Sequence, residues 1–339
     1  MFYDQGGITI HQGDCLDILR DIPSGSVNCC ITSPPFWRLR DYGMDDQIGL
    51  EDTPAGYVSR MVEVFSEVHR VLCDDGTVWL NLGDSYASNG RNRSVEQSTK
   101  DTSLDGGTAT QCQTLSQQSK VVDGLKPKDL VGIPWRVAFA LQDSGWYLRQ
   151  DIIWHKPSPM PESVTDRCTK AHEYIFLLSK SRRYYFDSAA IAEPCTESNA
   201  SRPRMGQGPN TQYNQKRKSM KMPDGWGTGP GGHGSFHRNG REKGRQDNAE
   251  LPSTKNKRSV WTVPSKPYKD AHFAVFPLDL IEPCVLAGCP EGGVVLDPFI
   301  GSGTTAEVAK YNGRKCIGIE LNPEYCELIP KRLEQGVLF

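Results

Sequence analysis

Near the end of the chain, two short apolar runs, Val294-Val295-Leu296 and Cys316 to Leu321, bracket the segment Asp297-Pro298-Phe299-Ile300-Gly301-Ser302-Gly303-Thr304-Thr305. The runs read as buried strands. Thr304 to Tyr311 reads as a helix closed by Asn312-Gly313, a usual helix stop. Strand, glycine loop, helix and strand make a βαβ unit of a parallel sheet. Only 18 residues follow Leu321, so the remaining strands must come from earlier in the chain. The expected fold is an α/β sheet whose ligand loop arrives last.

The loop has the chemistry of a cradle. Its glycines let the backbone turn sharply and approach a ligand, and the following helix offers free N–H groups. Glu320 stands 19 residues after Gly301, near the end of the second strand. A carboxylate there suits the two hydroxyls of a ribose. Gly301, Gly303 and Ala306 also match the dinucleotide fingerprint. A nicotinamide cofactor therefore stays open at this point, although the late position of the loop disfavours it.

The rest of the chain supplies the other elements. Ile8 to Ile10 reads as a strand, Gly13-Asp14 as a turn and Cys15 to Arg20 as a short helix. Val27 to Thr32 is a β-rich run stopped by Pro34-Pro35. Thr53 to Leu72 carries Tyr57, Met61, Val64, Phe65, Val68, Val71 and Leu72 at helical spacing, with Thr53 as N-cap and Pro54 at the first position. Asp75-Gly76 reads as a turn before a strand at Thr77 to Leu82. A helix at Ile133 to Ser144, strands at Tyr147 to Trp154 and Tyr174 to Leu178, and helices at Phe276 to Ala287 and Tyr325 to Leu333 complete the set.

Two polar stretches interrupt this pattern. Residues 85–128 are rich in Ser, Thr, Gln, Asn and Gly and read as an insertion or a partly disordered loop. Residues 198–258 hold 13 Lys and Arg against 4 Asp and Glu, whereas the whole chain carries a net charge of -2. Such a basic segment in an otherwise acidic chain suits phosphates. We expect residues 1–84, 129–187 and 259–339 to form one body, interrupted by the insertion at 85–128 and a basic region at 188–258. No run of about 18 apolar residues exists to span a membrane, and the first residues lack the form of a secretory signal. The 11 cysteines include no Cys-x-x-Cys pair and no zinc-finger spacing. These features point to a cytoplasmic protein with reduced thiols and no structural metal. His172-Glu173 does not change that, since neighbours on a strand point to opposite faces.

Thr32-Ser33-Pro34-Pro35-Phe36 follows a buried strand, where ligands of open α/β sheets bind. Two prolines stiffen the turn and remove two backbone donors. What remains is mostly acceptors, the carbonyls and the Ser33 hydroxyl, beside the flat face of Phe36. That combination suits the exocyclic amine of a nucleobase. Its lone pair is delocalised into the ring, and acceptors holding its hydrogens favour a pyramidal nitrogen. Alignment of two held reactants can supply about 7–11 kcal/mol of a barrier. A base inside a duplex must be flipped out to reach such a site.

With both motifs in this order, the sequence resembles the β-class amino DNA methyltransferases, over roughly residues 8–84, 129–187 and 260–335. The resemblance implies a Rossmann-like methyltransferase fold: a mostly parallel twisted sheet with helices on both faces and one antiparallel strand near an edge. It implies S-adenosyl-L-methionine as cofactor and double-stranded DNA as partner, with no metal and no membrane. It leaves open a homodimer, a cognate restriction endonuclease and a bacterial or phage origin. Ser33, Pro34, Pro35 and Phe36 become the catalytic motif. Asp14 and Cys15 match the segment that reaches the adenine end of the cofactor. His272 and Phe273, with Lys266-Pro267 before them, match the segment that closes over its methionine part. Asp297, Pro298, Phe299, Gly301, Ser302, Gly303 and Thr304 match the cofactor loop, and Glu320, Leu321 and Asn322 the ribose-binding strand end. Trp154 and Lys156 match a segment lining the target pocket. Arg38, Arg40, Lys216, Arg217, Lys218, Arg238, Arg241, Lys243 and Arg245 are candidates for DNA contact. Ser at the first motif position goes mostly with cytosine N4 in this family, and Asp or Asn mostly with adenine N6. Cytosine N4 is the favoured target, with adenine N6 as the alternative. A nicotinamide oxidoreductase and a non-catalytic DNA-binding protein on the same scaffold are the remaining rivals.

Overall fold

The computed structural model describes residues 1–44, 46–88, 113–114, 121–122, 124–195, 253–265 and 276–335. Its strands are β1 (Tyr3–Gln5), β2 (Ile8–Gln12), β3 (Val27–Thr32), β4 (Arg40–Asp41), β5 (Leu72–Leu82), β6 (Gln113–Thr114), β7 (Tyr147–His155), β8 (His172–Ser179), β9 (Glu193–Pro194), β10 (Thr254–Lys255), β11 (Val260–Thr262), β12 (Val294–Asp297) and β13 (Lys315–Glu320). The helices are α1 (Cys15–Asp21), α2 (Pro54–Val71), α3 (Ile133–Asp143), α4 (Leu278–Gly288), α5 (Thr304–Tyr311) and α6 (Pro323–Gln335).

Nine strands form one sheet in the order β1-β2-β13-β12-β3-β5-β8-β7-β11. Every pairing from β2 to β5 is parallel. Strand β8 runs against both β5 and β7, and β11 pairs parallel with β7. The expected reversed strand near one edge is therefore β8. A second reversal, β1 against β2, closes the opposite edge. Central strands carry unbroken buried runs, Cys29 to Thr32 and Gly76 to Leu82, because both faces of the sheet are covered.

Each cover has a simple local cause. Asp14 caps α1 by accepting from the amides of Leu16 (2.8 Å) and Asp17 (3.2 Å). Thr53 caps α2 through the Gly56 amide (3.0 Å), with Pro54 at the first position. The stripe Tyr57, Met61, Val64, Phe65, Val68 and Val71 is fully buried. At the start of α3 the Asp84 carboxylate accepts from the Gly132 and Ile133 amides, replacing a cap from within the helix. Helices α1, α2 and α3 build one core cluster, and α4, α5 and α6 build the cluster on the other face.

Asp75-Gly76 departs from the expected turn. Leu72 already pairs with Val27 while Thr77 pairs with Cys29, so residues 73–76 bulge within one continuous β5. The Asp75 and Gly76 carbonyls accept from Tyr185 (2.9 Å) and Lys180 (3.2 Å), which holds the bulge in the sheet. Two short strands, β1 and β11, carried no periodic signal. No helix among the described residues is long and apolar enough to cross a membrane.

The chain divides into two units, residues 1–191 with 258–339, and residues 192–257. In the second unit, β9 and β10 pair antiparallel, joined by a Cys195 to Ser253 backbone bond and a Lys255–Glu193 ion pair at 3.8 Å.

Candidate active site

Strands β2, β3, β12 and β13 all end at one rim of the sheet, and β8, running the other way, begins there. A cavity of about 350 Å³ opens at that rim, within the size of small-molecule sites. Gly13, Asp14, Cys15, Ser33, Phe36, Pro298, Phe299, Gly301, Ser302, Thr304, Glu320, Leu321 and Asn322 line it together with Pro34 and Pro35. The two motifs, more than 260 residues apart in sequence, thus share one chamber.

The glycine loop is held from beneath. Asp297 is fully buried, and its carboxylate accepts from Thr32 Oγ1 (2.6 Å), Thr305 Oγ1 (2.6 Å) and the Phe299 amide (3.1 Å). It ties the end of β3, the loop and the first turn of α5 into one knot, and it does not itself line the cavity. Burial pushes its carboxyl up to about 6, against the pull of those three hydrogen bonds. Gly303 has φ +89, and a Cβ there would stand 3.0 Å from Ile329 of α6. A side chain would strain the backbone and crowd that helix. Ser302 accepts from Arg332 (2.9 Å), which also pairs with Glu307. Glu320 accepts from the Gly301 amide (2.9 Å) and the Asn322 amide (2.8 Å). Burial, with a smaller push from Asp297, raises its carboxyl to about 7 despite those donors.

The other wall is built from distant strands. Tyr57 of α2 donates its hydroxyl to the Pro35 carbonyl (2.9 Å), fixing the Pro-Pro turn. The Phe36 ring lies on Gly83, where a Cβ would approach to 2.5 Å. Ser33 donates to Asn81 Oδ1 (3.0 Å). Asn81, 4% exposed, spends both hydrogens of its amide nitrogen on Glu173 Oε2 (3.2 Å) and the Tyr174 carbonyl (3.1 Å). Glu173 also lines the cavity, and its second oxygen takes the Lys156 ammonium. Leu39, Arg40, Tyr42, Met44, Gln47 and Ile48 continue the wall, and Tyr42 meets Tyr325 edge-on at 6.4 Å between ring centroids.

Other expected residues take different places. Trp154 is buried and donates to the Val263 carbonyl (2.8 Å), with the Lys156 ammonium 4.1 Å from its ring. Neither residue touches the cavity directly. Arg40 lines it, whereas Arg38 turns inward to the Glu51 carbonyl (3.2 Å) and Asp52 (3.1 Å). Lys266, Pro267, His272, Phe273, Lys216, Arg217, Lys218, Arg238, Arg241, Lys243 and Arg245 lie outside the described residues. Among the described residues no group of His, Cys, Asp and Glu is placed to hold a metal ion. Asn81, Glu173 and the Tyr42 to Ile48 wall had no signal in the sequence. They lie on plain strand or loop segments, and only the register of the sheet brings the first two to Ser33.

The family model described as DNA methylase matches residues 27–331. The type II methyltransferase M.Cfr9I of Citrobacter freundii is 43% identical over 328 residues, covering 97% of this chain and 88% of that protein. M.SmaI of Serratia marcescens is 43% identical over 321 residues, covering 95% and 89%. Among solved structures, the cytosine-N4-specific PvuII DNA methyltransferase superposes with a TM-score of 0.59 at 18% identity, covering 98% of this chain and 90% of that one. A DNA modification methylase of Thermus thermophilus, solved in complex with S-adenosyl-L-methionine, gives 0.54 at 21% identity, covering 98% and 95%. The likeness extends over nearly the whole sequence, and the fold carries it through to the last helix. On that basis the chain belongs to the N6/N4 DNA methylase family, and S-adenosyl-L-methionine is its cofactor.

Proposed function

We propose that this DNA methyltransferase methylates the N4 amine of cytosine in duplex DNA, and that Ser33, Pro34, Pro35 and Phe36 receive the flipped base. The observation that carries this reading is the Ser33 hydroxyl. It lines the same chamber as Gly301 and Glu320, and it gives its hydrogen to Asn81. Its lone pairs are then left for the hydrogens of an amine. The serine at the head of the motif and the cytosine-N4-specific PvuII enzyme among the structural neighbours support the choice of cytosine.

The cradle suits the cofactor on two counts. Thr304 Oγ1 is buried at the cavity wall and has no hydrogen-bond partner. A ligand acceptor or donor would relieve that cost. Glu320 presents a carboxylate already oriented by two backbone amides, which suits a ribose diol. Gly301 to Thr304 would face the remainder of the cofactor and Asp14 its adenine end. When bound, S-adenosyl-L-methionine supplies an electrophilic methyl on a sulfonium.

The chain's own part is alignment. Phe36 offers a flat face for the base, and Gly83 lets that ring sit where it does. The rigid Pro34-Pro35 turn and Ser33 hold the amine with its lone pair free. The amine proton leaves to solvent after transfer, so no strong base is needed. Residues 188–258 would bring the positive charge that grips phosphates, with a steep dependence on salt. Digesting DNA from cells that express the protein, followed by nucleoside mass spectrometry, tests the reading. N4-methylcytosine is expected; N6-methyladenine alone would overturn the choice of base.

A further inference from the structure

We propose that Lys156, Glu173 and Asn81 form a directional hydrogen-bond chain that locks Ser33 as an acceptor towards the target amine, making these three positioning residues of the transfer. The inference rests on the reading of Ser33 as the residue that meets the amine.

The argument is one of donors and acceptors. A primary amide can rotate end for end and offer either its oxygen or its nitrogen. At Asn81 that freedom is removed. The Tyr174 carbonyl and Glu173 Oε2 are both acceptors, and both face the amide nitrogen. A carbonyl cannot donate, and Glu173 meets Asn81 as a carboxylate whose other oxygen is paired with the Lys156 ammonium. Asn81 must therefore point its oxygen at Ser33. A hydroxyl has one hydrogen and two lone pairs. With its hydrogen committed to Asn81 Oδ1 at 3.0 Å, Ser33 can only accept from whatever enters the chamber.

That polarity matters for an amine. A hydroxyl free to rotate could aim its hydrogen at the amine, tying up the lone pair that must attack. The chain of bonds removes that orientation before the base arrives. Asn81 is also the wrong group for proton transfer, since a neutral amide oxygen will not take the Ser33 proton. The device sets orientation and is not a proton relay. The parts come from three strands: Asn81 from β5, Glu173 from β8 and Lys156 from the residue after β7. Their meeting follows from the register Leu82 to Tyr174 and Trp154 to Glu173.

The test is a double-mutant cycle in the full-length protein. Asn81→Leu keeps the volume and removes Ser33's acceptor. It should lower kcat about 10- to 100-fold, in the range of losing one preorganised hydrogen bond at a reacting centre. KM for S-adenosyl-L-methionine should stay within about twofold, because the cofactor side is untouched. Glu173→Gln keeps the shape and removes the anion. It should lower kcat in the same direction, by less. In a Ser33→Ala background neither substitution should lower kcat further by more than about twofold, since both act through a hydroxyl that is gone. Effects that multiply in that background would overturn the chain of bonds, as would normal kcat in both single variants. If Asn81→Leu does not fold, Glu173→Gln carries the cycle alone. Normal turnover of Ser33→Ala would bring down the reading of Ser33, and with it this inference. That result differs from the one in which Ser33→Ala is slow and the cycle is additive.

Discussion

The two walls of the chamber are made in different ways. The wall at Gly301 is local in sequence: Asp297 to Glu320 spans one βαβ unit, and its hydrogen bonds are mainly between a buried carboxylate and nearby backbone or hydroxyl groups. The wall at Ser33 is assembled from a distance. Ser33 reaches Asn81 across 48 residues, and Asn81 reaches Glu173 across 92. A recurring ligand can be held by a compact loop. A base that arrives out of a duplex meets side chains gathered by the order of strands in the sheet. The two walls should therefore fail separately, and substitutions can test that separation.

The largest expected effect lies outside both. Removing residues 205–250 takes away most of the basic segment and should weaken duplex binding by about 100-fold or more at low salt. Cofactor affinity measured by isothermal titration should not move. On the cofactor wall, Glu320→Gln should weaken cofactor binding about tenfold, with normal turnover at saturation. The pH dependence has a definite sign. The Glu320 carboxyl sits at about 7 in the empty protein, and hydroxyl donors from a ribose favour its ionised form. Affinity should thus fall as pH drops from about 8 to about 6, by about tenfold per unit at most once below the pKa. Glu320→Gln should flatten that slope.

A smaller effect is expected on the target wall. Gly83→Ala would place a methyl 2.5 Å from the Phe36 ring. The ring must shift, and transfer should slow about tenfold because misplacement of a reactant erodes alignment. Cofactor affinity should remain as it was. The smallest effect joins the walls: Thr32→Val removes one of three donors to Asp297. It should lower unfolding free energy by about 1 kcal/mol in a denaturant titration and leave both binding and transfer near normal.

The same contrast explains what the sequence disclosed. Local signals survived folding: the α2 stripe from Tyr57 to Val71, the caps Asp14 and Thr53, and the glycine loop before α5 all follow from neighbours within a few residues. Asn81 and Glu173 carry no local mark. Asn81 is one polar residue in a buried strand, and Glu173 sits beside a histidine in a pattern that first suggested only a metal to be dismissed. Their role depends on β8 running backwards beside β5, which no spacing announces. The bulge at residues 73–76 escaped notice for a related reason. Asp75-Gly76 has turn chemistry, but bonds from Tyr185 and Lys180 keep it inside the sheet.

The separation of the walls is tested most directly by Ser33→Ala. Its cofactor affinity by isothermal titration and its single-turnover methyl transfer to duplex DNA should be measured on the same preparation. The account predicts affinity within about twofold of the parent and transfer slowed about 100-fold or more. Unchanged transfer, or an affinity that collapses together with the rate, would contradict it.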